Sequence, residues 1–93
     1  VFKLNHVSGS DEELDFLQSA EKLKTILVAK KFECLRQVSS KNNYDFGLSM
    51  EFDSQSDYDR YNNHPDHVTF VKNRWIPEVQ DFLEIDYELY TDL

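Results

Sequence analysis

Residues 44–52 read YDFGLSMEF, a stretch in which large apolar side chains alternate with small or acidic ones. Because successive side chains of a β-strand point to opposite faces of a sheet, this pattern predicts a strand with one buried face. The residues expected on the buried face are Tyr44, Phe46, Leu48, Met50 and Phe52. Those expected on the opposite face are Asp45, Gly47, Ser49, Glu51 and Asp53.

Three further segments alternate in the same way and predict three more strands. They are residues 1–7, residues 32–38 and a final strand over residues 83–90. In the final strand, Leu83, Ile85 and Tyr87 alternate with acidic residues and are expected to point toward the core.

Two helical regions are predicted between these strands. The first begins after Ser10, which can form a capping box with Glu13. Its apolar stripe repeats at three- and four-residue steps at Leu14, Leu17, Ala20, Leu23 and Leu27, and Phe16 widens it. The second is capped by Ser54, runs to Asn63, breaks before Pro65 and resumes to about Asn73. Val68, Val71 and Trp75 are expected on its inner side.

The order strand, helix, strand, strand, helix, strand predicts the fold class. It is that of an α+β, ferredoxin-like βαββαβ sandwich, in which a four-stranded antiparallel sheet carries its helices on one face. The two strand–helix–strand units span residues 1–39 and 44–90. With no linker between them, a single domain is expected over residues 1–93.

Charge and composition exclude several classes of function. Eighteen acidic residues against ten basic ones give a net charge of −8, which opposes nucleic-acid binding. The longest aliphatic run, Ile26 to Ala29, is far too short to span a membrane. The single cysteine, Cys34, excludes an internal disulfide and favours a reducing compartment, so we expect a cytoplasmic protein.

The sheet face away from the helices is expected to be polar and acidic. Its predicted members are Lys3, Asn5, Glu33, Leu35, Gln37, Gly47, Ser49, Glu51, Glu84, Asp86 and Glu88. Without stacking aromatics it does not resemble the RNA-binding face of domains with this topology. Two interpretations stay open: a hydrated, self-associating surface, or a hard-cation site built from the carboxylates.

The segment Ser56 to Val68 contains a Tyr-x-x-His-Pro-x-His motif, Tyr61 to His67, after the strand ending Glu51-Phe52-Asp53. This motif resembles the stress-responsive dimeric α/β-barrel family. Further resemblance lies in the opening segment 1–4, VFKL, and in residues 85–88, IDYE. The Pro-Gly pair that members often carry after the first helix is replaced by VAKK at residues 28–31. The resemblance implies a homodimer whose two sheets form one barrel.

Within the family, plant polyketide cyclases use the motif's tyrosine and second histidine together with a histidine on the first strand. By this resemblance Tyr61 corresponds to the proton donor and His67 to the catalytic base, while the first-strand histidine would precede Val1. A neutral His67 in the first turn of a helix is able to accept a proton.

Two functions therefore stay open, and neither requires a cofactor or metal. One is a barrel protein that binds a small apolar or aromatic ligand between sheet and helices. The other is a cofactor-independent cyclase-like or monooxygenase-like enzyme using His67 and Tyr61. Tyr61 and His67 would also line the ligand cleft, and the further residues expected to contact the ligand are Tyr58, His64, Phe70, Trp75 and Met50. A purely structural role for the histidines, satisfying backbone groups at the helix break, is the third possibility.

Overall fold

The computed structural model describes residues 1–91 and contains one antiparallel sheet of four strands in the order β2-β3-β1-β4. The strands are β1 (Phe2–Leu4), β2 (Lys30–Arg36), β3 (Phe46–Glu51) and β4 (Val79–Phe82). The helices are α1 (Asp11–Glu21), α2 (Gln55–Asn63), α3 (Pro65–Phe70) and a single turn, α4 (Ile76–Glu78). This order confirms the predicted ferredoxin-like βαββαβ fold.

Ser10 caps the start of α1 as the sequence predicts, but Glu13 reaches back to the Gly9 amide and not to the Ser10 amide that a capping box requires. The Ser10 hydroxyl accepts a hydrogen bond from the Glu13 amide at 3.2 Å, and the Glu13 carboxylate accepts one from the Gly9 amide at 3.1 Å. The predicted apolar stripe is confirmed at Phe16, Ala20 and Leu23, which are buried, and is wrong at its two ends. Leu14, two residues before Phe16, therefore points outward. Leu27 lies beyond a 3₁₀ turn that redirects the chain, and its side chain is 91% exposed.

The helical region after Pro65 is longer than predicted. A π-helical turn, Val71–Trp75, joins α3 to α4, so that helical structure runs to Glu78 instead of ending near Asn73. Pro77 is tolerated because it lies in the first turn of α4, where its missing amide hydrogen would have no partner. Val68, expected to point inward, is 50% exposed. None of the helices within residues 1–91 is both long and apolar enough to cross a membrane.

The core lies between the sheet and the helices and is rich in aromatic rings. Phe2 is its centre, with ring centroids 5.1 Å from Trp75, 5.8 Å from Phe46 and 5.9 Å from Phe16. The buried members of this cluster are Phe2, Leu4, Phe16, Ala20, Leu23, Ile26, Ala29, Phe46, Tyr61 and Phe70. The helices thus cover one sheet face, and the other, which we call the free sheet face, is left uncovered in the single chain.

The last strand differs from the prediction in position and in facing. It spans residues 79–82, not 83–90, and its pairing with β1 is irregular between Lys3 and Leu4. This irregularity lets both Val79 and Phe82 pack on the helix side: Val79 packs against the core, and Phe82 stacks edge-on with Trp75 at 5.5 Å.

The facing of the residues after β4 is therefore reversed. Val1 and Leu83 exchange two backbone hydrogen bonds of 2.9 and 3.0 Å, so they lie opposite each other and share the free sheet face. The prediction that Leu83 points toward the core is wrong. Glu84 and Asp86, expected on the free sheet face, instead approach the Tyr58 hydroxyl on the helix side.

The free sheet face is accordingly less acidic than predicted. The register aligns Leu35 with Gly47, and the continuing ladder aligns Gly47 with Val1 and Val1 with Leu83. This row crosses all four strands and is apolar. The hard-cation interpretation loses Glu84 and Asp86 as ligands, and across residues 1–91 no group of three or more histidines, cysteines or carboxylates is placed to hold a metal.

Candidate functional site

The candidate site is built at the junction of α2 and α3. Ser54 caps α2 by accepting a hydrogen bond from the Asp57 amide at 3.1 Å. The helix ends at Asn63 because His64 precedes a proline and takes an extended backbone conformation, φ −63° and ψ 135°. His64 then caps α3, its Nδ1 accepting a hydrogen bond from the Asp66 amide at 3.1 Å. His64 thus acts as a capping residue in this structure.

The helix break brings Tyr61 and His67 together, as their shared motif suggests. Their ring centroids are 4.4 Å apart at an interplanar angle of 46°. Tyr61 is buried, with only 5% of its surface exposed, whereas His67 is half-buried at the edge of the core. A histidine in contact with a buried tyrosine and still open to solvent on one side is able to interact with a bound molecule.

The hydrogen bonding of His67 fixes its tautomer. Its Nδ1 lies 3.1 Å from the Asn62 carbonyl oxygen, which can only accept, so Nδ1 carries the proton. Burial lowers the pKa of His67, while the bond to Asn62 and the charge of Glu84 oppose that shift without cancelling it. Near neutral pH the imidazole is therefore uncharged, with its lone pair on Nε2.

Tyr61 stays protonated under the same conditions. Burial, assisted by the nearby Tyr58 and Glu84, raises the pKa of Tyr61 to about 12. Its ring also packs against Phe52 at 5.3 Å, and Phe52 contacts Tyr58 edge-on at 5.2 Å. Phe52, Tyr58, Tyr61 and His67 therefore form a continuous aromatic set, which we call the aromatic wall.

Two carboxylates complete the surroundings of the aromatic wall, and the sequence analysis missed them. Glu84 Oε2 lies 3.3 Å and Asp86 Oδ2 lies 3.4 Å from the Tyr58 hydroxyl oxygen. The alternation of residues 83–90 predicts both on the opposite sheet face, because it places Leu83 inward. The signal that would have located them is Phe82: with this aromatic residue facing the core, alternation puts residues 84 and 86 on the same side.

The other predicted ligand contacts do not all gather here. Phe70 and Trp75 make their ring contacts inside the core, with Phe16 at 5.5 and 6.3 Å. Trp75 also contacts Phe2, and Met50 is a half-buried residue packed against the same cluster. The structure thus unites Tyr58, Tyr61 and His67 and gives His64 a capping role, whereas Phe70 and Trp75 make their ring contacts with other members of the core.

Two surface depressions lie away from the aromatic wall. One is on the free sheet face and is lined by Lys3, Ser39, Asn42, Asn43, Tyr44, Asp45, Gln80 and Asp81. The other lies between α1 and the end of the last helix and is lined by His6, Asp11, Glu12, Asp15, Arg74 and Glu78. Between sheet and helices the packed rings of the core occupy the space assigned to a ligand. A ligand beside His67 would have to enter from its exposed edge.

The fold and the Tyr61–His67 pair define a small ferredoxin-like α+β domain with a histidine–tyrosine site at a broken helix. The model of the stress responsive A/B barrel domain family matches residues 1–89, and the chain belongs to that family.

Two solved structures share this fold. A Dabb family protein with a ferredoxin-like fold from Mesorhizobium loti is 57% identical, covers 96% of this chain and 90% of its own, and has a TM-score of 0.94. A dimeric protein of unknown function from Bacteroides fragilis, also ferredoxin-like, is 26% identical, covers 95% of this chain and 89% of its own, and has a TM-score of 0.71. No curated protein matches the chain significantly.

Proposed function

We propose that this chain acts as a homodimer that binds a small apolar or aromatic ligand at the aromatic wall, on the exposed edge of His67 instead of inside the filled space between the sheet and the helices. The observation that carries the proposal is the Tyr61–His67 pair, with ring centroids 4.4 Å apart. Its imidazole is neutral, has an unshared electron pair on Nε2 and is only half-buried. Such a group is suited to accept a hydrogen bond from a bound molecule.

The chemistry of the aromatic wall supports an aromatic ligand. Phe52, Tyr58 and Tyr61 offer ring faces and edges, and aromatic pairs gain stabilisation from offset or edge-on contact beyond simple burial. Met50 is a half-buried, flexible side chain on the same sheet face as Phe52 and is able to adapt its shape to a ligand.

Dimerisation is supported by the free sheet face and by the protein from Bacteroides fragilis, which is described as dimeric. No segment within residues 1–91 covers the apolar row formed by Leu35, Gly47, Val1 and Leu83, and Leu35 and Leu83 are 43% and 48% exposed. Pairing two such rows would remove their apolar surface from water. A cytoplasmic location remains part of this proposal and rests on the use of a single cysteine.

The ligand proposal is tested with 2-naphthol, a small neutral aromatic alcohol, added to ¹⁵N-labelled protein. We expect amide shifts concentrated in residues 58–67 and a weaker affinity in His67→Ala and Tyr61→Phe. The matched control is His64→Asn, which removes a neighbouring imidazole and keeps a side chain able to cap α3. Shifts confined to other regions, or unchanged binding by His67→Ala, would contradict the proposal.

A second candidate function is a cofactor-independent cyclase-like enzyme. The observation that favours it is the contact of a neutral imidazole with a tyrosine that stays protonated, because the imidazole is able to accept a proton and the phenol to donate its hydrogen to a developing oxyanion. The test is cofactor-free conversion of a linear poly-β-keto thioester, followed by chromatography. His67→Ala should abolish turnover and Tyr61→Phe should slow it by about 100-fold. Equal rates in both variants and wild type would exclude this function.

A further inference from the structure

We propose that the aromatic wall selects uncharged hydroxyl compounds such as phenols and rejects aromatic carboxylates, with Glu84 and Asp86 as the residues that determine this specificity. The inference rests on the proposed ligand site and deepens it by naming the class of ligand. Two features of the structure carry it: the hydrogen-bond polarity of His67 and the position of the two carboxylates.

His67 offers a ligand a hydrogen-bond acceptor and no donor. Since Nδ1 donates to the Asn62 carbonyl oxygen at 3.1 Å, the free Nε2 of the neutral ring can only accept a hydrogen bond. A phenol supplies the O–H donor that this nitrogen requires. An ionised carboxylate has only acceptor atoms, so one of its oxygen lone pairs would face the lone pair of His67 Nε2.

Two negatively charged carboxylates lie beside the hydroxyl group of Tyr58. Its hydroxyl group carries one proton, yet it lies 3.3 Å from Glu84 and 3.4 Å from Asp86. At most one carboxylate receives that proton in a hydrogen bond, so the two negative charges are not neutralised by Tyr58. A third carboxylate brought to the same place would meet like charges at close range.

The two carboxylates contact the same aromatic surface that includes the Tyr61–His67 pair. Phe52 contacts both Tyr58 and Tyr61, at 5.2 and 5.3 Å, so the three rings are one continuous surface. Burial is the main cause of the altered pKa values of Tyr61 and His67; the charge of Glu84 adds to the raised pKa of Tyr61 and opposes the lowered pKa of His67. The other titratable groups that act on the pair are Tyr58 and His64, and neither is a permanent cation.

The experiment compares 2-naphthol with 2-naphthoate, which share one ring system and differ in charge at about pH 7.5. Binding is followed by amide shifts in wild type and in the variant Glu84→Gln/Asp86→Asn, which keeps the side-chain shapes and removes both charges. We expect wild type to prefer 2-naphthol by about tenfold or more, and the variant to lose most of this preference by binding 2-naphthoate more tightly.

The control variant Glu12→Gln/Glu33→Gln removes the same net charge at two exposed positions, one in α1 and one in β2, away from the aromatic wall. It should behave as wild type, whereas equal gains in both variants would show a general charge effect and overturn the inference. Equal affinity of wild type for both compounds would overturn it and leave the proposed site intact. Failure of both compounds to bind wild type and variants would overturn the proposed site itself, and the inference with it.

Discussion

Pro65 determines the geometry of the candidate site. It forces His64 into an extended conformation, and the His64 amide then closes the end of α2 by donating to the Tyr61 carbonyl oxygen at 3.1 Å. The new helix begins at once, so His67 returns to the Tyr61 ring within six residues. A continuous helix would separate positions 61 and 67 by nearly two turns, or about 9 Å along its axis.

His64 is the residue at this break whose structural role is best defined. Its Nδ1 caps α3, so we expect His64→Ala to lower the free energy of unfolding by about 1 kcal/mol. His64→Asn, which preserves a capping acceptor, should lose much less. Urea unfolding of the three proteins checks this, and equal losses in both variants would contradict a capping role.

His67 should titrate below the ordinary histidine value of 6.5, because burial opposes its charged form. The unfolded chain then takes up the proton first, so this residue weakens folding as the pH falls below 6.5 toward its lowered folded pKa. Imidazole ¹⁵N shifts followed against pH measure the folded value directly. His67→Gln should remove this part of the pH dependence, and a measured pKa at or above 6.5 would contradict the assignment.

At the scale of elements, an ionic network ties the end of β1 to the last helical turn and to α1. Glu78 accepts hydrogen bonds from His6 Nε2 at 2.7 Å and from Arg74 Nε at 2.5 Å. Arg74 also contacts Asp15 at 2.8 Å, and the Glu78 carbonyl oxygen accepts from the Asn5 amide at 2.8 Å. One carboxylate thus joins three elements that are distant in sequence.

Glu78→Gln should therefore destabilise the fold by about 1 kcal/mol at pH 7. Burial acts to raise the pKa of Glu78, but hydrogen bonds from Arg74 and His6 outweigh it and leave the pKa lowered. The stabilisation is then complete above the ordinary value of 4.5 and is lost as the pH falls through the lowered folded pKa. Urea midpoints of wild type and variant should converge at low pH, and a constant gap would contradict the network.

A suitable control for this comparison is Glu88→Gln. Glu88 is exposed and follows the last strand, so its substitution removes the same charge from a position outside the network. Its urea midpoint should match wild type at pH 7. A loss equal to that of Glu78→Gln would show that net charge, not the hydrogen-bonded network, controls the stability.

Local signals predicted most elements correctly because their causes lie close together in sequence. Ser10 with Glu13 and Ser54 with Asp57 identify helix starts through hydrogen bonds three residues apart, and both bonds are present. The strand around Phe46 follows from strict alternation, and the contact of Tyr61 with His67 from the proline between them. For the same reason the pair could be located by its motif.

The facing of the residues around β4 could not be predicted in this way. It depends on which residues of β1 lie opposite Val79 and Phe82, and the irregularity between Lys3 and Leu4 adds a residue to one strand only. A shift of one residue transfers every following side chain to the other face. The carboxylates of the site, Glu84 and Asp86, were misplaced for this reason alone.

At the scale of the whole molecule, the chain is more extended than a compact domain with the same number of residues. Its radius of gyration is 14.1 Å, whereas a compact domain of this length has a radius of gyration of about 12 Å. Its longest dimension is 43 Å. Residues 83–91 follow the last strand without regular structure, and Ile85, Tyr87 and Leu89 are exposed along them. Apolar side chains on an extended segment beside an uncovered sheet face are typical of a surface that meets a partner.

The proposed dimer makes a prediction about the apolar row of the free sheet face. Leu35 lies in this row beside Gly47, whereas Val38 lies beyond the end of β2 and is 86% exposed. Leu35→Lys places a charge in the apolar row of the proposed interface, where it would have to be buried without a partner. We expect it to weaken dimerisation at least about 100-fold, measured by sedimentation equilibrium.

Val38→Lys serves as the matched control, since it introduces the same side chain from a similar apolar residue outside the row. It should leave the dimer intact, and both variants should keep the wild-type circular dichroism spectrum because neither residue belongs to the buried core. A wild type that is monomeric at tens of micromolar would contradict the dimer itself. If Leu35→Lys and Val38→Lys weaken the dimer equally, the apolar row is not the interface, because a lysine in the row would then have the same effect as a lysine outside it.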